Sequence, residues 1–174
     1  MFPALTFDRE IGYVQTRYVD PGEHRSKYDN PAGRLGDNPK HGWTQPTGQP
    51  KQPIVICEGF PDAYTANKAG YTAIAVLGAL NATPALVEQL VPRIGNRPVI
   101  IAFDGDDAGL SAAKLLTEAF GRRGILVAEL PLPSGTDLNS WAHTARQIPE
   151  LGPTLRPTPT PGLAISPTLA TAGP

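Results

Sequence analysis

Between residues 53 and 148 short apolar runs alternate four times with stretches of helical character, and that alternation leaves the chain few folds to choose from. The runs are PIVICEG, TAIAVLG, RPVIIAFDGD and ILVAELPLP. They lack the polar alternation of a strand with one wet face, so each is expected to be covered on both sides. The segments that follow them are PDAYTANKAG, TPALVEQLVPRIG, DAGLSAAKLLTEAFGRRG and TDLNSWAHTARQI. Pro61 and Gly70 punctuate the first, and Thr83 is placed to cap the second, whose last turn Pro92 interrupts. Leu110, Leu115, Leu116 and Phe120 are available for one face of the third, and Thr136 or Asp137 stands near the cap of the fourth. The expected class is α/β, with a mostly parallel four-stranded sheet and helices on both faces.

The flanks read differently. Residues 1–52 are polar and turn-rich around a single strand-like run, GYVQTRYVD, so a small irregular or β segment is expected there. Residues 149–174 hold seven prolines and read as a disordered or extended tail. The expected domains are therefore 1–52, 53–148 and 149–174. The net charge of −1 excludes a globally basic nucleic-acid binder, so any such contact must come from a local patch. A single cysteine, Cys57, excludes an internal disulfide framework and a Cys-rich zinc site. It is expected in the core. No apolar run approaches the ~18 residues of a membrane span, and no signal peptide is read at the N-terminus, so a cytoplasmic location is expected.

The acids stand where the apolar runs end. Glu58 closes the first run, Asp104 and Asp106 close the third, and Asp137 follows the fourth. In a doubly wound sheet the ligand site lies beyond the carboxyl ends of the strands. If neighbouring strands are adjacent, Glu58, Asp104, Asp106 and Asp137 converge on one rim, while Gly59, Gly78, Gly105 and Gly109 leave room for close approach. Clustered carboxylates repel, and a divalent cation is the economical way to hold them together. These residue types suggest Mg²⁺-assisted phosphoryl chemistry. Asp107 is expected at the start of a helix, and Asp62, in the first turn of another, has a capping role competing with a site role.

EGFPDA followed by AFDGDDAG resembles the Toprim domain, the Rossmann-like catalytic module of bacterial-type primases, topoisomerases and OLD-type nucleases. The likeness spans roughly residues 53–146 and is finer toward primases, through VLGAL, DGDDAGLSAA and PSGTDLNSW. Primases often carry a further acid two residues after the last Asp, where this chain has Asn139. Upstream, VQTRYVDPGEHRSKYDNP is similar to the basic segment that precedes Toprim in primases, which places Arg17, Lys27 and Tyr28 facing the site.

The resemblance implies a Mg²⁺- or Mn²⁺-dependent nucleotidyltransferase that makes short primers in phage or plasmid replication. Glu58, Asp104 and Asp106 would be catalytic and metal-holding, with Asp62 and Asp137 as further ligands. Arg17 and Lys27 would hold nucleotide phosphate or template. The implied partners are single-stranded DNA, nucleoside triphosphates and a replicative helicase or DNA-binding protein. The chain lacks the cysteines of a primase zinc module and reads as a truncated catalytic core. The rival expectations are a Toprim nuclease and a non-catalytic Toprim adaptor or fragment.

Overall fold

The computed structural model describes residues 1–20, 22, 26–30, 40–44 and 52–144. The Pro-rich segment 149–174 lies outside the described residues, as do His24 and Arg25. Four apolar runs form β5 (Ile54–Cys57), β6 (Thr72–Ala75), β7 (Val99–Ala102) and β8 (Val127–Glu129). They pair in parallel in the order β6-β5-β7-β8, with Cys57 opposite both Ala75 and Ala102. Each crossover carries a helix: α1 (Phe60–Lys68), α2 (Pro84–Ile94) and α3 (Asp107–Arg122), with α4 (Leu138–Thr144) after β8.

Why both faces needed covering is visible residue by residue. Side chains alternate across a strand, so Ile54 and Ile56 enter one core while Val55 and Cys57 enter the other. The first core packs under α2 and α3 through Leu86, Leu90, Leu116 and Phe120. The second packs under α1 and α4 through Phe60, Ala63 and Leu138. The central strands are wholly buried and Cys57 with them, as expected. In α3 the buried face is Ala112, Ala113, Leu116, Ala119 and Phe120, whereas Leu110 and Leu115 are exposed. Leu116 and Phe120 lie on the inner face as expected, and small alanines rather than Leu110 and Leu115 complete it.

The second helix runs on through Pro92 rather than stopping before it. Pro92 lies in its last turn, where the missing N–H costs one bond only. Its start is capped as expected, the Thr83 hydroxyl accepting from the Leu86 N–H at 3.2 Å. Thr83→Ala is expected to cost about 1 kcal/mol in a urea melt.

The described residues before β5 extend the same sheet. They supply β1 (Phe2–Leu5), β2 (Ile11–Arg17), β3 (Tyr28–Asp29) and β4 (Gly42–Trp43). The described residues form an eight-stranded sheet in the order β3-β2-β1-β4-β6-β5-β7-β8. β4 pairs antiparallel with β6 through Trp43 and Ile74, and β1 joins β4 through Leu5 and Trp43. Only β2 was legible beforehand. No helix among the described residues is long and apolar enough to cross a membrane.

Candidate active site

The register of the parallel strands sets the site. Since Cys57 and Ala102 are partners, Glu58 and Asp104 leave adjacent strands at nearly the same level. On the other side of β5, the chain leaving β6 turns at Leu77 and Gly78. These residues line a cavity of about 260 Å³ together with Gln15, Arg17, Lys27, Tyr28, Asp62 and Asp137. Three strands separate β2 from β5 in the sheet, yet residues of both face this cavity, as the twist of a long sheet allows. The basic segment upstream of the parallel core and the acids at its strand ends therefore meet across one space.

Each acid has a distinct attachment. Glu58 Oε1 accepts from the Ala79 N–H at 3.3 Å, in a short 3₁₀ turn (Ala79–Asn81) held by the Asn81 side chain on the Leu77 carbonyl at 2.6 Å. Glu58 Oε2 is buried with no hydrogen-bond partner. Asp106 is the N-cap of α3, its Oδ1 accepting from the Gly109 N–H at 2.8 Å, and Asp107 is the first helical residue. Asp107 thus stands at the start of the helix, as expected, and Asp106 before it has the extended backbone that a capping side chain needs. Asp106 does not line the cavity, although its charge is felt by Glu58 and Asp104. Asp62 is 5% exposed and its Oδ1 accepts from the Asn139 N–H at 3.0 Å. Asp137 caps α4, with Oδ1 2.5 Å from the Ser140 N–H.

Two of the four glycines serve the chain's own backbone. A Cβ on Gly105 would stand 2.2 Å from the Pro133 carbonyl oxygen, and one on Gly109 would stand 2.2 Å from that of Asp104. The room they leave is filled by protein, not held open for a ligand.

Crowding raises the proton affinity of the acids. Glu58 is pushed up to about 7 by burial, then by the charge of Asp104, against the opposing Ala79 N–H. Asp104 rises to about 6 through burial and the charges of Asp137 and Asp106, with Lys27 opposing. Asp62 rises to about 6 through burial, with the Asn139 N–H opposing. Arg17 and Lys27 flank the half-buried Tyr28 ring, at 5.8 and 6.0 Å from its centre.

The stability consequence has a definite sign. The folded protein holds these protons more tightly than the unfolded chain, whose carboxyls titrate near 3.8 and 4.5. Protonation therefore stabilises the fold at low pH, and that contribution is lost as pH rises from about 4 through 6–7. In the presence of EDTA the melting temperature is expected to fall by a few degrees from pH 5 to 7.5. Glu58→Gln should flatten that slope, and Mg²⁺ at pH 7.5 should reverse it. Equal slopes for the variant and the parent chain would contradict this.

Among the described residues, no three His, Cys, Asp or Glu side chains are grouped so as to hold a metal ion by themselves. The donor set nevertheless suits Mg²⁺. It is oxygen-only, it includes the orphaned buried Glu58 Oε2, and its carboxylates repel one another. Mg²⁺ commonly takes one or two carboxylates and completes its shell with water and substrate phosphate. His41 and His143 lie outside this cavity.

The Toprim-like family model matches residues 55–142. A DNA primase of Campylobacter jejuni is 46% identical over 66 residues, covering 36% of this chain and 10% of the primase. The Gene 57 protein of Mycobacterium phage D29 is 32% identical over 130 residues, covering 75% of this chain and 78% of the phage protein. Among solved structures, a DnaG primase catalytic domain bound to single-stranded DNA aligns with a TM-score of 0.58 at 24% identity, over 82% of this chain and 47% of that one. The chain belongs to the Toprim-like family, with a core of the primase type. It spans about a tenth of the Campylobacter jejuni primase.

Proposed function

We propose that this chain is the nucleotidyl-transfer centre of a phage- or plasmid-type DNA primase, joining nucleoside triphosphates into short primers on single-stranded DNA. The observation that carries the reading is the meeting, across one cavity, of Glu58 and Asp104 with Arg17 and Lys27. Acids alone would suit any metal-dependent phosphate chemistry. Cations on the facing wall give an incoming triphosphate a place to lie.

Glu58 and Asp104, with Asp106 through the carboxylate oxygen that its helix cap does not use, would hold Mg²⁺ or Mn²⁺; when bound, the cation neutralises the triphosphate and aids in-line displacement. Arg17 and Lys27 orient the phosphates from the opposite wall. Glu58 would either complete the metal site or act as general base toward the attacking 3′-hydroxyl. A chain of net charge −1 binds a polyanionic template weakly, and more weakly as salt rises. A replicative helicase or another DNA-binding protein would supply the missing template affinity, in the cytoplasm where the replicon is copied. Residues 1–52 contribute the phosphate-binding wall and 53–148 the acids, which divides the labour of the site between two segments of one sheet.

The test is primer synthesis. Purified protein is given single-stranded DNA, labelled nucleotides and Mg²⁺ or Mn²⁺, beside an Asp104→Ala/Asp106→Ala control. Short labelled products that vanish in the control are expected. Metal-dependent shortening of an end-labelled template, without products, would replace the reading with a nuclease. A chain that binds Mg²⁺ but does neither would point to an adaptor.

A further inference from the structure

The geometry points to Asp62 as a positioning residue, the bolt of a latch between α1 and α4, and not a metal ligand. The inference rests on the metal-dependent reading above, because it narrows which of the cavity's carboxylates hold the ion.

Asp62 stands in the first turn of α1 and is 5% exposed. Its Oδ1 accepts from the Asn139 N–H, 77 residues away and in the first turn of α4. One turn along α1, Thr65 Oγ1 lies 3.0 Å from the Pro61 carbonyl and 3.1 Å from Asn139 Oδ1. Main chain and side chain of Asn139 are thus both engaged by α1. Asn139 does not line the cavity, whereas Asp137, two residues earlier, does.

The latch has work to do. α4 has only seven residues, too few for a helix to be stable by itself. It is anchored apolarly by Leu138 and Ala142, and Gly105 holds the approach to it through Thr136 and Gly135, but none of these reaches Asn139 in its first turn. That turn carries Asp137, whose carboxylate caps the helix and faces Asp104 across the cavity. Fixing Asn139 on α1 therefore fixes Asp137 against the acids of β5 and β7.

The same geometry accounts for an amide at position 139. The Thr65 hydroxyl has one proton and two acceptors to serve. A carboxylate in place of the amide would add charge beside the buried Asp62 with no spare donor. Where primases often carry a further acid, this chain has a neutral structural contact.

The test compares two substitutions in the full chain, reading thermal melting with and without Mg²⁺. Asp62→Asn keeps an oxygen that accepts from the Asn139 N–H. It is expected to melt within about 2 °C of the parent or above it, and to need no more than about twice the Mg²⁺ for half of the metal-induced shift. Asp62→Ala removes the acceptor, and is expected to melt about 4 °C lower and to need at least about fivefold more Mg²⁺. Asn139→Asp should also melt lower, and adding Asp62→Asn to it should restore the melting temperature.

If Asp62→Asn weakens Mg²⁺ tenfold or more while keeping its melting temperature, Asp62 is a ligand and the inference falls. It falls equally if Asp62→Ala melts like the parent. If the parent chain shows no Mg²⁺-dependent shift at all, it is the metal-centre reading that fails. The latch is then decided by the melting difference between the two Asp62 variants.

Discussion

Asp104→Asn is expected to reduce primer synthesis by roughly 10²–10³-fold or more while making the metal-free protein more stable at pH 7.5. The two effects have one cause. Asp104 is the leading charge acting on Glu58, and burial of the pair holds both above the usual carboxylate range. Removing one charge lets Glu58 ionise at lower cost, so the folded state gains at neutral pH. On the proposed reading, catalysis would lose because a neutral amide gives up much of the attraction for Mg²⁺ and a triphosphate. Single-turnover assays and melts in EDTA on the same preparation check both arms. A variant that is less active and also less stable would mean that Asp104 serves the fold, and would count against the site as drawn.

Gly105→Ala is expected to be strongly damaging, although it touches no carboxylate. Its Cβ would meet the Pro133 carbonyl oxygen at 2.2 Å and the Leu132 carbonyl oxygen at 2.9 Å, contacts that only a backbone shift can relieve. Gly105 is also clamped at both ends, its N–H donating to the Thr136 carbonyl at 2.9 Å and its carbonyl accepting from the Gly135 N–H at 3.0 Å. The loop between Asp104 and Asp106 is thereby bolted to the segment that carries Asp137. A loss of about 3 kcal/mol is expected, or roughly 10 °C in melting temperature, with activity lost alongside. Gly121→Ala is the control, since a Cβ there meets nothing within 4 Å and the residue is helical. It should be neutral or gain about 0.5–1 kcal/mol. Melting of Gly105→Ala within about 2 °C of the parent would refute the packing argument.

Much of the acidic rim was legible from local pattern, and the reasons are physical. A strand buried on both faces needs an unbroken apolar run, and β5, β6 and β7 have one each. Acids placed directly after such runs must emerge at the carboxyl edge, which is how Glu58 and Asp104 were found. Arg17 and Lys27 were placed by resemblance, and their neighbours Gln15 and Gly78 join the cavity as the turn and strand geometry requires. Gln15 carried no signal of its own, for a lone Gln on an imperfectly alternating strand has no pattern to betray it.

What the chain's own letters determined was the set of buried parallel strands, the helices between them and the level at which the acids emerge. These follow from period, punctuation and burial, all of which act over a few residues. Tertiary structure decided the rest. β4 is two residues long and exists because β1 and β6 lie beside it to accept its hydrogen bonds. The inner face of α3 was settled by the sheet it packs on, which takes Leu116 and Phe120 with the alanines and leaves Leu110 and Leu115 outside. Asp106 became a helix cap and Asp62 a tie to Asn139 because partners came within 3.0 Å of them in space. A carboxylate has the same letter whether it binds a cation, caps a helix or joins two helices, and only its neighbours in the folded chain distinguish the three.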